Sequence, residues 1–114
     1  MPLDEGDAVR LADMVEFGDK VVAMVAGMSL SQFMGDERTL FAVCYGIQVV
    51  GEAGWKLSDN LKSHHTEVPW PLIASMRHRL VHDYGRTDEK IVYTVATVHL
   101  PQLLARVRAI QEQG

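Results

Sequence analysis

The chain has 114 residues, 47% of them apolar and 23% charged, and a formal net charge of −4. That balance excludes a disordered chain, and the length suits one domain, residues 1–114, burying roughly two thirds of its unfolded surface. The lone Cys44 excludes an internal disulfide. Within Phe41-Ala-Val-Cys-Tyr45 it reads as a buried, inert thiol in a reducing compartment.

The amino-terminal Met-Pro-Leu-Asp-Glu-Gly-Asp has no basic segment leading into an apolar one, so it does not read as a signal peptide. The longest apolar run, Val21 to Met28, is far short of the roughly 20 residues a membrane span needs. A cytoplasmic location is expected, with no membrane association. Charge is unevenly spread. Residues 1–37 carry eight acids against Arg10 and Lys20, giving −6, and the remainder carries nine bases against seven acids, giving +2. An acidic body disfavours nonspecific binding to nucleic acid, while leaving room for a local basic site.

Leu11, Met14, Val15, Gly18, Val21, Val22, Val25 and Met28 predict a first helix with one buried stripe, from Asp7 to about Met28. Ser29 with Gln32 forms a candidate capping box for a short turn, Leu30 to Met34, which Gly35 ends. Asp36 can cap the next helix, about Glu37 to Lys62, along which Leu40, Val43, Ile47, Val50, Gly54, Leu57 and Leu61 make a heptad-like seam. Gly46, Gly51 and Gly54 inside it each cost about 1 kcal/mol relative to Ala, so the close approach of another backbone is expected there.

Ser63 to Val68 reads as a loop, and Trp70-Pro71 as the start of a helix with Pro71 in its first turn. Gly85 is a natural stop, and Thr87 can cap a helix running through Ile91 to His99. The β-branched run Ile-Val-Tyr-Thr-Val-Ala-Thr-Val favours a strand by propensity, but a lone strand would have no partner in an otherwise helical chain. Pro101 is expected to break or kink the chain before a last helix marked by Leu103, Leu104, Val107 and Ile110. The architecture expected is all-α. Trp55 and Trp70 read as core or interface anchors rather than base-stacking platforms.

The densest chemistry lies in Trp70 to Arg86, where Arg77, His78, Arg79, His82, Asp83, Tyr84 and Arg86 fall within ten residues. Arg and His are the side chains that grip phosphate and move protons beside it. Arg77 and His82 are five residues apart, about 140° and about 7.5 Å along an ideal helix. They can converge on one phosphate if the helix frays at Tyr84-Gly85, or if two copies meet across a twofold axis. Cleavage of RNA by its own 2′-hydroxyl needs a base, an acid and cationic donors, and a dimer would supply His82 and Arg77 twice. His78, one turn before His82, is a second titrating group. The same pair at i,i+4 also suits zinc with Asp83 or His64-His65, but no further ligand stands at a firm spacing, so neither metal nor cofactor is expected. Glu52, on an apolar and glycine-rich helix face, would need a cation if buried, and Arg77 is the candidate.

Arg77, four residues, His82, one residue and Tyr84 resemble the signature of HepT-like proteins of the HEPN superfamily. These are ribonuclease toxins paired with a minimal nucleotidyltransferase (MNT) antitoxin. The resemblance extends through Phe33-Met-Gly-Asp36, Val49-Val-Gly-Glu-Ala53, Val68-Pro-Trp70, Met76-Arg77, Leu80-Val-His-Asp-Tyr84 and Leu100-Pro-Gln-Leu103. It implies an up-and-down bundle of four to five helices that forms a homodimer. It also implies metal-independent RNA cleavage by Arg77 and His82 in a cleft at the dimer interface, and AMPylation of Tyr84 by the antitoxin. His78, Arg79, Asp83 and Glu52 would support the site or contact RNA. His78 stands where the family usually has Asn. That departure leaves an alternative expectation, a non-catalytic HEPN module that binds nucleotide or a nucleotidyltransferase.

Overall fold

The computed structural model describes residues 3–81 and 88–113, without the side chains of 77–81. Every regular element among these residues is helical. The chain forms α1 (Glu5–Val25), α2 (Leu30–Met34), α3 (Glu37–Lys56), α4 (Asp59–His64), α5 (Trp70–Val81), α6 (Glu89–Thr94), a π-helical turn (Val95–His99) and α7 (Leu100–Gln113). Helix α3 lies between α1 and α5, and α7 closes against α1. Of the described helices, none is long and apolar enough to cross a membrane.

The expected stripes make the core. Leu11, Met14 and Val21 of α1 meet Val43, Ile47 and Val50 of α3, with Leu103, Leu104, Val107 and Ile110 of α7 beside them, all buried. The small residues of α3 explain its close neighbours. A methyl group at Gly46 would fall on Val21 of α1, and one at Gly54 would lie 3.0 Å from Ile73 Cγ2 of α5. What approaches these glycines most closely is side chains of the adjacent helices, rather than the bare backbone expected.

Local capping follows the sequence at two points. The Ser29 hydroxyl accepts from the Gln32 amide at 3.1 Å while Gln32 Oε1 accepts from the Ser29 amide at 2.8 Å, the reciprocal pair of a capping box. Asp36 accepts from the Thr39 amide at 3.1 Å and from its hydroxyl at 2.7 Å. The hydroxyl bond first, then the amide bond, holds the Asp36 carboxyl below its ordinary range.

The long helix expected from Glu37 to Lys62 is instead two helices. Helix α3 ends at Lys56, and α4 begins after Ser58, whose hydroxyl accepts from the Leu61 amide at 3.1 Å. The break is fixed from a distance. Asp7, only 5% exposed, accepts from the Ser58 amide at 2.8 Å and from its hydroxyl at 2.6 Å. The first of these bonds satisfies a backbone N–H that an unbroken helix would have paired internally.

Asp88, rather than Thr87, caps α6, accepting from the Lys90 and Ile91 amides. Thr87 and Gly85 lie outside the described residues. The β-branched run is helical, as expected, and two of its threonines return their hydroxyls to the preceding turn, Thr94 to the Lys90 carbonyl at 3.0 Å and Thr97 to the Tyr93 carbonyl at 2.7 Å. Pro101 does not end the helix. It sits in the first turn of α7, just after the π turn, where the Leu100 amide donates five residues back to Val95. Proline has no amide for the carbonyl four residues before it, and a wider turn at that place absorbs the mismatch.

Candidate functional site

Helix α5 carries the first part of the Arg and His cluster, Arg77, His78 and Arg79, and its start is anchored well. Trp70 is buried and donates Nε1–H to the His65 carbonyl at 3.0 Å, with Pro71 in the first turn as expected. One turn later Ile73 packs beside Gly54 of α3. Arg77 comes one turn further along α5, followed by His78 and Arg79 in the same helix. His82, Asp83, Tyr84 and Arg86 lie outside the described residues, as do the side chains of Arg77, His78 and Arg79. Convergence of Arg77 and His82 on one phosphate is therefore an expectation carried forward.

Glu52 belongs to α3, the helix on which α5 packs. Its carboxylate is not in the buried setting considered from the sequence. The side chain is 42% exposed and lies 3.4 Å from Lys56 Nζ at i+4. Partial exposure lowers the cost of its charge, since water screens what a partner does not. The same outward stripe of α3 carries Phe41, Tyr45, Gln48, Glu52 and Trp55, spaced by four, three, four and three residues. Phe41, at 66%, is the most exposed large apolar residue described. Tyr45 meets the Phe17 ring of α1 edge-on with centroids 6.3 Å apart. Phe41 and Tyr45 were not singled out from the sequence, although their spacing beside the apolar seam was there to be read.

Trp55 is exposed, so the reading of it as a core residue does not hold. Cys44 is half-buried rather than fully enclosed, and burial still pushes its thiol pKa up, away from the reactive thiolate. His64 closes α4 with Nδ1 2.7 Å from the Asn60 carbonyl, and His65 Nδ1 lies 3.5 Å from Glu67. No group of three His, Cys, Asp or Glu residues placed to hold a metal occurs among the described residues.

Among the described residues every regular element is helical, and an Arg-x4-His-x-Tyr segment begins on a helix packed against a glycine-rich neighbour, which sets the class as a small helical domain. Comparison with known proteins narrows it: the model of the family described as ribonuclease HepT-like matches residues 14–110, and the chain belongs to that family. A Thermococcus cleftensis protein named "Probable ribonuclease HepT" is 26% identical over 102 residues, covering 90% of this chain and 93% of the relative. A chain of Caldanaerobacter subterraneus subsp. tengcongensis named "Putative RNase" is 28% identical over 93 residues, covering 82% and 83%. Another so named, from Methanocaldococcus jannaschii, is 26% identical over 93 residues, covering 82% and 77%. No solved structure matches significantly.

Proposed function

We propose that this chain is a metal-independent RNA endonuclease, the toxin of a toxin–antitoxin pair, acting in the cytoplasm as a homodimer. The observation that carries the reading is the family match across 14–110, which takes in the whole Arg77, His82 and Tyr84 signature. Ribonuclease names among the relatives support RNA as the substrate.

In the proposed reaction the RNA 2′-hydroxyl attacks the adjacent phosphorus and the bond to the 5′-oxygen breaks, leaving a 2′,3′-cyclic phosphate. One His82 takes the proton from the nucleophile. The His82 of the second copy gives a proton to the leaving oxygen, and the two Arg77 side chains stabilise the charge gathered on phosphorus. His78, Arg79 and Asp83 stand close in sequence and would orient these groups or hold the RNA, while Glu52 would steady Arg77 from α3. The exposed stripe of Phe41, Tyr45, Glu52 and Trp55 supports a second copy on this side of α3, because aromatic side chains set among polar ones are typical of protein interfaces. The off-switch follows as group transfer. The Tyr84 phenolic oxygen attacks the α-phosphorus of ATP on the MNT partner, pyrophosphate leaves, and the new phosphate occupies the arginines that RNA needs.

The test is cleavage of RNA by the purified, unmodified chain in the presence of EDTA. Arg77→Ala and His82→Ala should each lower the rate by about 10²-fold or more with the dimer intact. After co-expression with the nucleotidyltransferase, intact mass should rise by whole AMP units, and Tyr84→Phe should abolish the rise. His78 at the usual Asn position favours one other reading, a non-catalytic module. RNA left intact by the unmodified dimer would assign the chain to it.

A further inference from the structure

A groove of about 620 Å3 runs between α5 and the continuous helix formed by α6, the π turn and α7. Ile47 of α3, Ile73 and Leu103 lie in it, with Leu72 on one wall and Ile91 on the other. These last two are 63% and 49% exposed, so the groove keeps apolar side chains open to water. None of Phe41, Tyr45, Glu52 or Trp55 is among its described lining residues, so it is a different surface from the α3 stripe.

Among its described lining residues the formal charges have one sign. Its described lining includes Lys90, His99 and Arg106, all exposed, and neither Asp nor Glu. Arg106 donates one N–H to the Glu67 carbonyl, and a guanidinium has four more to offer. The bases form a row rather than a cluster. At 1.5 Å per residue, Arg106 lies about 24 Å beyond Lys90, with His99 a little past halfway between them. The π turn ends at His99, so the wider turn that accommodates Pro101 also sets the middle base of the row.

We propose that this groove is a docking site for an amphipathic helix of a partner protein, apolar on one face and flanked by carboxylates. The row of bases decides between occupants. A single-headed amphiphile such as a fatty acid needs one cationic cluster at one end, whereas Lys90 and Arg106, about 24 Å apart along the helix axis, match acids repeated along a helix of four or more turns. The apolar floor suits the buried face of such a helix and offers nothing to a solvated phosphate backbone. The proposal is independent of the nuclease reading.

The experiment uses the full chain and a fluorescent helical peptide of about 18 residues, with Leu at i, i+3, i+4 and i+7 spacing and Glu on both flanks. A second peptide carries Lys in place of every Glu. The acidic peptide should bind at least about tenfold more tightly than the basic one, and added salt should weaken it. Leu72→Glu should cost about tenfold or more, and Lys90→Glu several-fold. Both positions are exposed, and an unchanged helical circular dichroism spectrum and Tm will show the variants folded. Equal affinity for the two peptides, no binding of the acidic one, or binding unaffected by Leu72→Glu in the folded variant would overturn the proposal. Binding of dodecanoate, removed by Leu72→Glu while the acidic peptide fails to bind, would assign a small amphiphile instead.

Discussion

Gly46 shows what single atoms decide here. Alanine is the better helix former by about 1 kcal/mol, which alone would make Gly46→Ala stabilising. The added methyl group falls on Val21, which is fully buried and stiff at χ1, and overpacking of that kind costs about 1–3 kcal/mol. The crowding outweighs the propensity, so the variant should lose about 1 kcal/mol net and melt several degrees lower. Adding Val21→Ala to Gly46→Ala makes the check specific. The loss caused by Gly46→Ala should be smaller in that background, giving a non-zero coupling in a double-mutant cycle by chemical denaturation.

At the scale of elements, the junction of α3 and α4 depends on one carboxylate from the other end of the first helix. Asp7→Ala leaves the Ser58 amide and hydroxyl without their long-range acceptor, and bonds to a charged acceptor are worth about 1.5–3 kcal/mol each before relaxation. A net destabilisation of about 2 kcal/mol is expected. Hydrogen exchange should rise most in α4 and at the start of α1. Uniform acceleration across the molecule would instead mean that the junction is not a separable unit. The π turn has a different origin, since its cause, Pro101, lies in the adjacent turn of the same helix.

For the whole molecule, the proposed homodimer can be tested on the stripe of α3. Phe41→Glu combined with Tyr45→Glu places two like charges on a surface that must be desolvated if a second copy covers it. Sedimentation equilibrium should then show dissociation to monomer at micromolar concentration, and RNA cleavage should fall with it because each monomer keeps only one His82. A folded double variant that remains dimeric would put the interface elsewhere. The ion pair between Arg108 of α7 and Asp19 of α1 also belongs to this scale. It joins the acidic amino-terminal third to the basic remainder across the bundle.

Much of this could be read directly from the chain. The apolar stripes of α1, α3 and α7, the Ser29 capping box and the Asp36 cap depend on neighbours within a few residues, so local pattern was enough, whereas the helical state of Ile91–His99 was read against its local propensity, from the lack of a partner strand. The same holds for the family, whose motifs are short and ordered along the sequence. The end of α3 at Lys56 was not legible, because Asp7 acts on it from 51 residues away. Nor was the setting of Glu52, whose exposure depends on which way α3 turns in the bundle. The groove beside Lys90, His99 and Arg106 was equally hidden, since it exists only where two packed helices leave a gap. The sequence by itself determined most of the helical stretches, the caps at Ser29 and Asp36 and the residues offered for chemistry, because short-range periodicity and hydrogen bonding encode them. Tertiary structure alone decided where the long helix breaks, which glycines must stay small and which apolar surface remains uncovered, because each depends on contacts between residues far apart in the chain.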